Sequence, residues 1–84
     1  MGKYDKLLEQ ILCGTSDANI DFDELRGLLF RLGFEQRIRG SHHLFTKPGI
    51  AEKINLQRDD GKAKPYQVRQ VRNVIVQYKL GDQS

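Results

Sequence analysis

The spacing of apolar residues near the start of the chain predicts two amphipathic helices. Within residues 3–13 apolar side chains recur at helical spacing, at Tyr4, Leu7, Leu8, Ile11 and Leu12. A second stripe predicts a helix over residues 22–32 and comprises Phe22, Leu25, Leu28, Leu29 and Leu32. Asp21 is its predicted N-cap, with Glu24 three residues later, and Gly33 is its predicted end. The polar residues 15–19 between the two helices are expected to form a loop.

From Phe34 onward apolar and polar residues alternate, which is typical of strands with one wet face. Residues 34–39 and 42–46 are predicted to form a hairpin around a tight Gly40-Ser41 turn. A third strand is expected over residues 52–57, followed by an exposed polar loop over residues 58–62.

Pro65 is suited to the first turn of a final helix. Its expected apolar side comprises Val68, Val71, Val74, Ile75 and Tyr78. Its expected wet side comprises Gln67, Arg69, Gln70, Arg72 and Gln77. The last four residues, 81–84, are expected to be a frayed tail.

These elements together predict one α+β domain over residues 1–84, with the order α-α-β-β-β-α. The economical arrangement is a three-stranded antiparallel sheet with all the helices packed on one face. The other face of the sheet would remain open to solvent or to a ligand.

Composition narrows the possible partners and cofactors. Residues 1–33 contain four Lys/Arg against six Asp/Glu, whereas residues 34–84 contain ten against five, an asymmetry that favours a polyanion-binding face in the second half. No early segment resembles a signal peptide and no run approaches the roughly 20 apolar residues of a membrane span, so a cytoplasmic protein without a membrane partner is expected. The single cysteine, Cys13, is expected to be a small buried hydrophobe. No Cys/His spacing predicts a zinc site, and no cofactor is expected.

His42 and His43 are the residues with the clearest chemical potential. Imidazole exchanges protons near neutral pH, and RNA carries its own nucleophile in the 2′-hydroxyl, so one base beside phosphate-binding cations would suffice for cleavage. Strand alternation places the two rings on opposite faces. If Phe45 is a core residue, His42 points outward. If Leu44 is the core residue instead, His43 points outward. Opposite faces also make a two-histidine metal site unfavourable.

Basic and turn residues around the histidines form the predicted RNA-binding set. Gly40 could admit a phosphate close to the backbone, and Ser41 could orient the substrate by hydrogen bonding. The cations are Arg37, Arg39 and Lys47 beside the hairpin, and Lys62 and Lys64 before the last helix, whose N-terminus would favour a phosphate.

The segment Gly40-Ser41-His42-His43-Leu44-Phe45 resembles the corresponding motif of the HicA family of bacterial toxins. It follows a Leu32-Gly33-Phe34 junction and precedes a helix that opens at Lys64-Pro65 and contains Val71 and Ile75. The resemblance covers residues 21–80 and leaves residues 1–20 as an additional helix and loop. The paired Asp59-Asp60 would repel phosphate where a more basic loop would bind it.

The resemblance implies a double-stranded-RNA-binding-domain-like fold and a ribosome-independent endoribonuclease that cleaves mRNA in the bacterial cytoplasm. It also implies neutralisation by a HicB-like antitoxin that covers the active face. The first histidine of the family motif is the catalytic one, which corresponds to His42, and His43 is the second candidate. Two alternatives remain open at this point: a non-catalytic RNA-binding module, and a domain that serves only a protein partner.

Overall fold

The computed structural model describes residues 3–14 and 17–80 as an α+β fold. In chain order its elements are α1 (Lys3–Cys13), a 3-10 turn (Asp17–Asn19), α2 (Phe22–Arg31), β1 (Glu35–Arg39), β2 (His42–Lys47), β3 (Ile50–Asp59), β4 (Lys62–Ala63) and α3 (Pro65–Gln77). The strands form one antiparallel sheet in the order β1-β2-β3-β4, and the helices pack on it. The predicted fold class is therefore confirmed.

The start of α2 is built as predicted from its capping residues. Asp21 has an extended backbone, and its carboxylate accepts a hydrogen bond at 3.0 Å from the backbone N–H of Glu24. This contact satisfies one of the N–H groups that a helix N-terminus leaves without a partner. Gly33 follows the helix with a φ of +98°, a conformation that glycine adopts without steric cost.

The sheet has four strands where three were predicted. β3 runs from residue 50 to 59, longer than the expected 52–57, and only Asp60 and Gly61 form the turn that follows. Lys62 and Ala63 then pair with Asp59 and Arg58 as a short fourth strand. The predicted polar loop over residues 58–62 was wrong because backbone pairing, rather than side-chain burial, stabilises this segment.

A single hydrophobic core joins the helices to one face of the sheet. Its largest completely buried side chains include Phe22, Phe45, Ile11, Ile20, Leu25, Ile54 and Leu56. Leu7 and Ile11 belong to this core, so α1 is integral to the packing of the described residues. Phe45 and Ile54 are cross-strand partners with no exposed surface, which identifies the helix-covered face of β2 and β3.

Three expectations about individual side chains were wrong. Cys13 is exposed rather than buried, because it lies at the end of α1 on the side away from the core. Gln67 is only 2% exposed instead of wet. Arg72 is half-buried, since its guanidinium pairs with both carboxylate oxygens of Asp17 and donates to the backbone oxygen of Ile11. The loop predicted over residues 15–19 and the tail over residues 81–84 lie partly and wholly outside the described residues.

Across the described ranges, no helix has the length and apolar character needed to cross a membrane.

Candidate active site

The β1–β2 turn sets the position of both histidines. Gly40 has a φ of +57° at the first central position of the two-residue turn, as hairpin turns of this class require. Because Phe45 is completely buried, strand alternation directs His43 toward the helices and His42 toward the open face of the sheet. His42 is exposed and His43 is half-buried, which decides between the two orientations that the sequence left open.

Polar side chains flank His42 on both neighbouring strands. In the antiparallel register His42 pairs with Arg39 of β1 and with Gln57 of β3, and directly opposite residues share a face. Gln57 also donates a long hydrogen bond, 3.4 Å, from Nε2 to Oγ of Ser41 in the turn. The imidazole therefore lies in a row between a guanidinium and an amide.

A second row crosses the same face two residues along β2. It consists of Arg37, Leu44 and Asn55, again matched by register. The rows are separated by about 7 Å, the repeat of two residues in a strand. Arg37 and Arg39 are both exposed, and neither guanidinium makes an ion pair with another described residue. They remain available to bind an anion.

The arginines on the helix-covered side are engaged within the protein. Asp23 accepts ion-pair contacts from Arg26 at 3.1 Å and from Arg58 at 2.9 Å. The hydrogen bond from Arg26, together with the charge of Arg58, lowers the pKa of the Asp23 carboxyl below its ordinary value. Arg26 and Arg58 also lie against the face of the Phe22 ring, 6.0 and 4.8 Å from its centroid. Arg58 therefore links β3 to α2, and Arg26 links α2 to Gln36 of β1.

His43 belongs to this helix-side cluster. Its ring meets the ring of Phe22 edge to face at 5.0 Å, and its Nδ1 lies 3.1 Å from Oε1 of Gln36. That oxygen also accepts a hydrogen bond from Nε of Arg26 at 2.8 Å, so the amide orientation is determined and Nδ1 must be the donor. Burial, followed by the charges of Arg26 and Arg58, lowers the pKa of His43 below 6.5. The neutral ring therefore acts as a packing group.

The predicted RNA-binding residues divide into a group beside His42 and a group away from it. Arg37, Arg39, Gly40 and Ser41 share its end of the hairpin. Lys47 lies five residues along β2, about 17 Å away. Its ammonium group lies over Gly33 on the other side of the sheet. A Cβ atom added at Gly33 would lie 2.5 Å from Nζ of Lys47.

Lys62 and Lys64 lie beyond β3 from His42. Lys62 lies on β4, where it pairs with Asp59 of β3, and β4 is two strands and about 10 Å across the sheet from β2. Lys64 is the N-cap residue of α3. An RNA backbone would have to cross β3 to contact these lysines and His42 at the same time.

Gln67 connects the start of α3 to the strand that flanks His42. Its Oε1 accepts hydrogen bonds from the backbone N–H groups of Gln57, at 3.2 Å, and of Lys64, at 3.4 Å. Sequence reasoning missed this residue. Its position three residues after the N-cap, where glutamine side chains commonly return to the cap, was the pattern that could have identified it.

Among the described residues, no group of three His, Cys, Asp or Glu side chains is arranged to hold a metal ion. A scan against protein-family models found no match for this chain, and searches of the curated proteins and of the solved structures also returned none.

Proposed function

We propose that this protein is an endoribonuclease of the HicA kind, a toxin that cleaves mRNA, in which His42 is the catalytic acid/base. One observation carries the proposal: an exposed imidazole lies on the open face of the sheet, between Arg39 and Gln57. Apart from the short β4 before α3, the order α2-β1-β2-β3-α3 also agrees with the double-stranded-RNA-binding-domain-like fold that the sequence resemblance implies.

The proposed reaction is an internal transesterification. The imidazole of His42 takes the proton of a ribose 2′-hydroxyl as that oxygen attacks the adjacent phosphorus. The O2′–P bond forms and the P–O5′ bond breaks, leaving a 2′,3′-cyclic phosphate and a 5′-hydroxyl end. Water protonates the departing 5′-oxygen and subsequently restores neutral His42.

Arg39 and Arg37 supply the positive charge that this reaction needs. Negative charge builds on the phosphate oxygens as the new bond forms, and a guanidinium can donate two hydrogen bonds to such a group. Arg39 lies beside His42, in position to contact the scissile phosphate, and Arg37 is one row away, in position to contact the next. Ser41 and Gln57 hold the turn beside them.

The same exposed face explains the expected regulation. An enzyme whose base lies on an open sheet can be inhibited by any partner that covers that sheet, and a HicB-like antitoxin is the partner proposed here. The cations on this face favour an antitoxin surface with complementary acidic groups.

The test compares purified wild type with His42→Ala on labelled single-stranded RNA. Removing one acid/base group should slow cleavage by roughly 10²- to 10⁴-fold. His43→Ala is the matched control, since it removes the same side chain one residue away on the other face and should retain cleavage wherever it remains folded. Cleavage by His42→Ala at the wild-type rate would refute the proposal.

A non-catalytic RNA-binding module is the second candidate function. The guanidinium groups of Arg37 and Arg39, which make no ion pair with another described residue, would bind phosphates whether or not His42 exchanges a proton. Salt-sensitive RNA binding by the wild type, with no 2′,3′-cyclic phosphate product, would favour this candidate over the nuclease.

A further inference from the structure

A depression on the open face lies next to the proposed catalytic row. It has a volume of about 320 Å³, and its lining includes Glu35, Arg37, Leu44, Thr46 and Lys53. Leu44 is half-buried and pairs with Arg37 across the strands, while Glu35 pairs with Thr46 one row further from His42. The depression thus has an apolar residue in its middle and polar groups around its rim.

At the far end of the depression, Glu35 is the group that favours a base over a phosphate, while Arg37 and Lys53 contribute positive charge to the same rim. Glu35 is exposed and has no hydrogen bond or ion pair with another described residue, so its carboxylate oxygens are free to accept. A carboxylate repels a phosphate, whereas it accepts hydrogen bonds from the N–H groups of a base edge. Arg39, at the His42 end, attracts a phosphate.

The spacing of the rows suits one nucleotide. About 7 Å separates the His42 row from the Leu44 row, and a further 7 Å reaches the row of Glu35 and Thr46. A phosphate beside Arg39 would allow its attached sugar to lie near Leu44 and the base to reach Glu35. A base can extend this far only when it is unpaired and unstacked from its neighbours, as in single-stranded RNA.

We infer that the depression around Leu44 is a nucleobase subsite for one of the two nucleotides that flank the scissile bond, and that Glu35 makes it select guanine. The inference rests on the proposed nuclease function and deepens it. Guanine presents two adjacent N–H donors, N1 and the exocyclic N2, which match the two oxygens of one carboxylate. Uracil presents one N–H between two carbonyl oxygens, which the carboxylate would repel.

The experiment uses DNA oligonucleotides that contain a single ribonucleotide, so that only one bond has a neighbouring 2′-hydroxyl. The base on each side of that bond is varied in turn among guanine, inosine and uracil. A bidentate contact to a base discriminates by about 1–3 kcal/mol. Oligonucleotides with guanine at one of the two positions should therefore be cleaved roughly 5- to 150-fold faster than those with uracil there. Inosine, which lacks the N2 amino group, should be intermediate.

The variant Glu35→Gln keeps the size of the side chain and replaces one acceptor oxygen with a donor. It should reduce the guanine preference to less than about threefold, while Glu9→Gln, the same change on the exposed surface of α1, should leave the preference unchanged. Wild-type cleavage without a guanine preference would overturn the subsite, and so would a preference that persists in Glu35→Gln.

Failure of the subsite and failure of the nuclease function are distinguishable. Binding of the same oligonucleotides without the ribonucleotide can be measured by fluorescence anisotropy. If no oligonucleotide is cleaved but guanine binding depends on Glu35, the subsite stands and the catalytic proposal fails. If cleavage depends on His42 but neither cleavage nor binding distinguishes the bases, the nuclease stands and the subsite fails.

Discussion

Adjacent His42 and His43 offer a test with one substitution at two positions. Alanine at His42 should abolish cleavage and leave stability unchanged, whereas alanine at His43 should lower stability and leave cleavage intact. His43→Ala removes an edge-to-face contact with Phe22 at 5.0 Å and a hydrogen bond to Gln36 at 3.1 Å. His42→Ala removes an exposed ring on the open face. The two variants have identical composition, so any difference between them comes from position alone.

The expected loss of stability in His43→Ala follows from these two contacts. An aromatic pair contributes about 0.5–1.5 kcal/mol beyond its buried area, and a hydrogen bond contributes about 0.5–1.5 kcal/mol. Since the ring is half-buried, we expect the free energy of unfolding to fall by about 2 kcal/mol. His42→Ala should change it by less than about 0.5 kcal/mol, as surface substitutions usually do.

In a domain of this size, a change of 1 kcal/mol shifts Tm by roughly 4–8 °C. His43→Ala should therefore lower Tm by roughly 10 °C, and His42→Ala by less than about 4 °C. Circular dichroism followed during heating and during urea unfolding measures both effects. RNA cleavage is then compared at a temperature where all three proteins are folded, and only His42→Ala should be inactive.

Two outcomes would refute this reasoning. A larger loss of stability in His42→Ala than in His43→Ala would mean that the faces of β2 are assigned the wrong way round. Loss of cleavage in a fully folded His43→Ala would mean that the helix-side ring, rather than the exposed one, takes part in the chemistry.

Two further predictions concern pH and packing. Because burial, Arg26 and Arg58 lower the pKa of His43 below 6.5, the unfolded chain takes up this proton before the folded protein does, so the free energy of unfolding should decrease as the pH falls from about 6.5 through the folded pKa. Urea unfolding at pH 7.5 and pH 5 should show a larger loss in wild type than in His43→Phe, and equal losses would contradict the assignment. Gly27→Ala should destabilise by about 1–2 kcal/mol, because its Cβ would meet the Tyr4 ring carbons at 2.7 and 2.8 Å, whereas alanine in an open helix position is stabilising. Urea unfolding in a Tyr4→Leu background should reverse this effect, and a stabilised single variant would contradict it.

Local chemistry accounts for the elements that the sequence predicted well. The cap at Asp21, the stop at Gly33 and the turn at Gly40 each depend on residues within a few positions, and all three were predicted. The boundaries failed at β3 and β4, where the extended conformation of residues 58–59 and 62–63 depends on pairing between the two segments. The local sequence around Asp59 and Lys62 does not favour a strand, and its polar composition is typical of a loop.

The part of the candidate site that depends on local chemistry was also predicted. Arg37, Arg39 and His42 lie in adjoining strands of one tight hairpin, so their proximity follows from the turn. Gln57 comes from β3 and could be placed beside His42 only when the register was known. Lys47 was assigned to the site because it flanks the predicted hairpin, but alternation, distance and its contact over Gly33 direct it elsewhere.

The sequence by itself determined the period of each segment, because helical and strand repeats are properties of the local backbone. It also determined that His42 and His43 must face opposite sides of one strand. Only the tertiary structure decided which of them reaches solvent, since that depends on Phe45 being the residue that meets Ile54 and the helices. In this fold the helices bury only one face of the sheet, so this single contact decides which imidazole remains exposed.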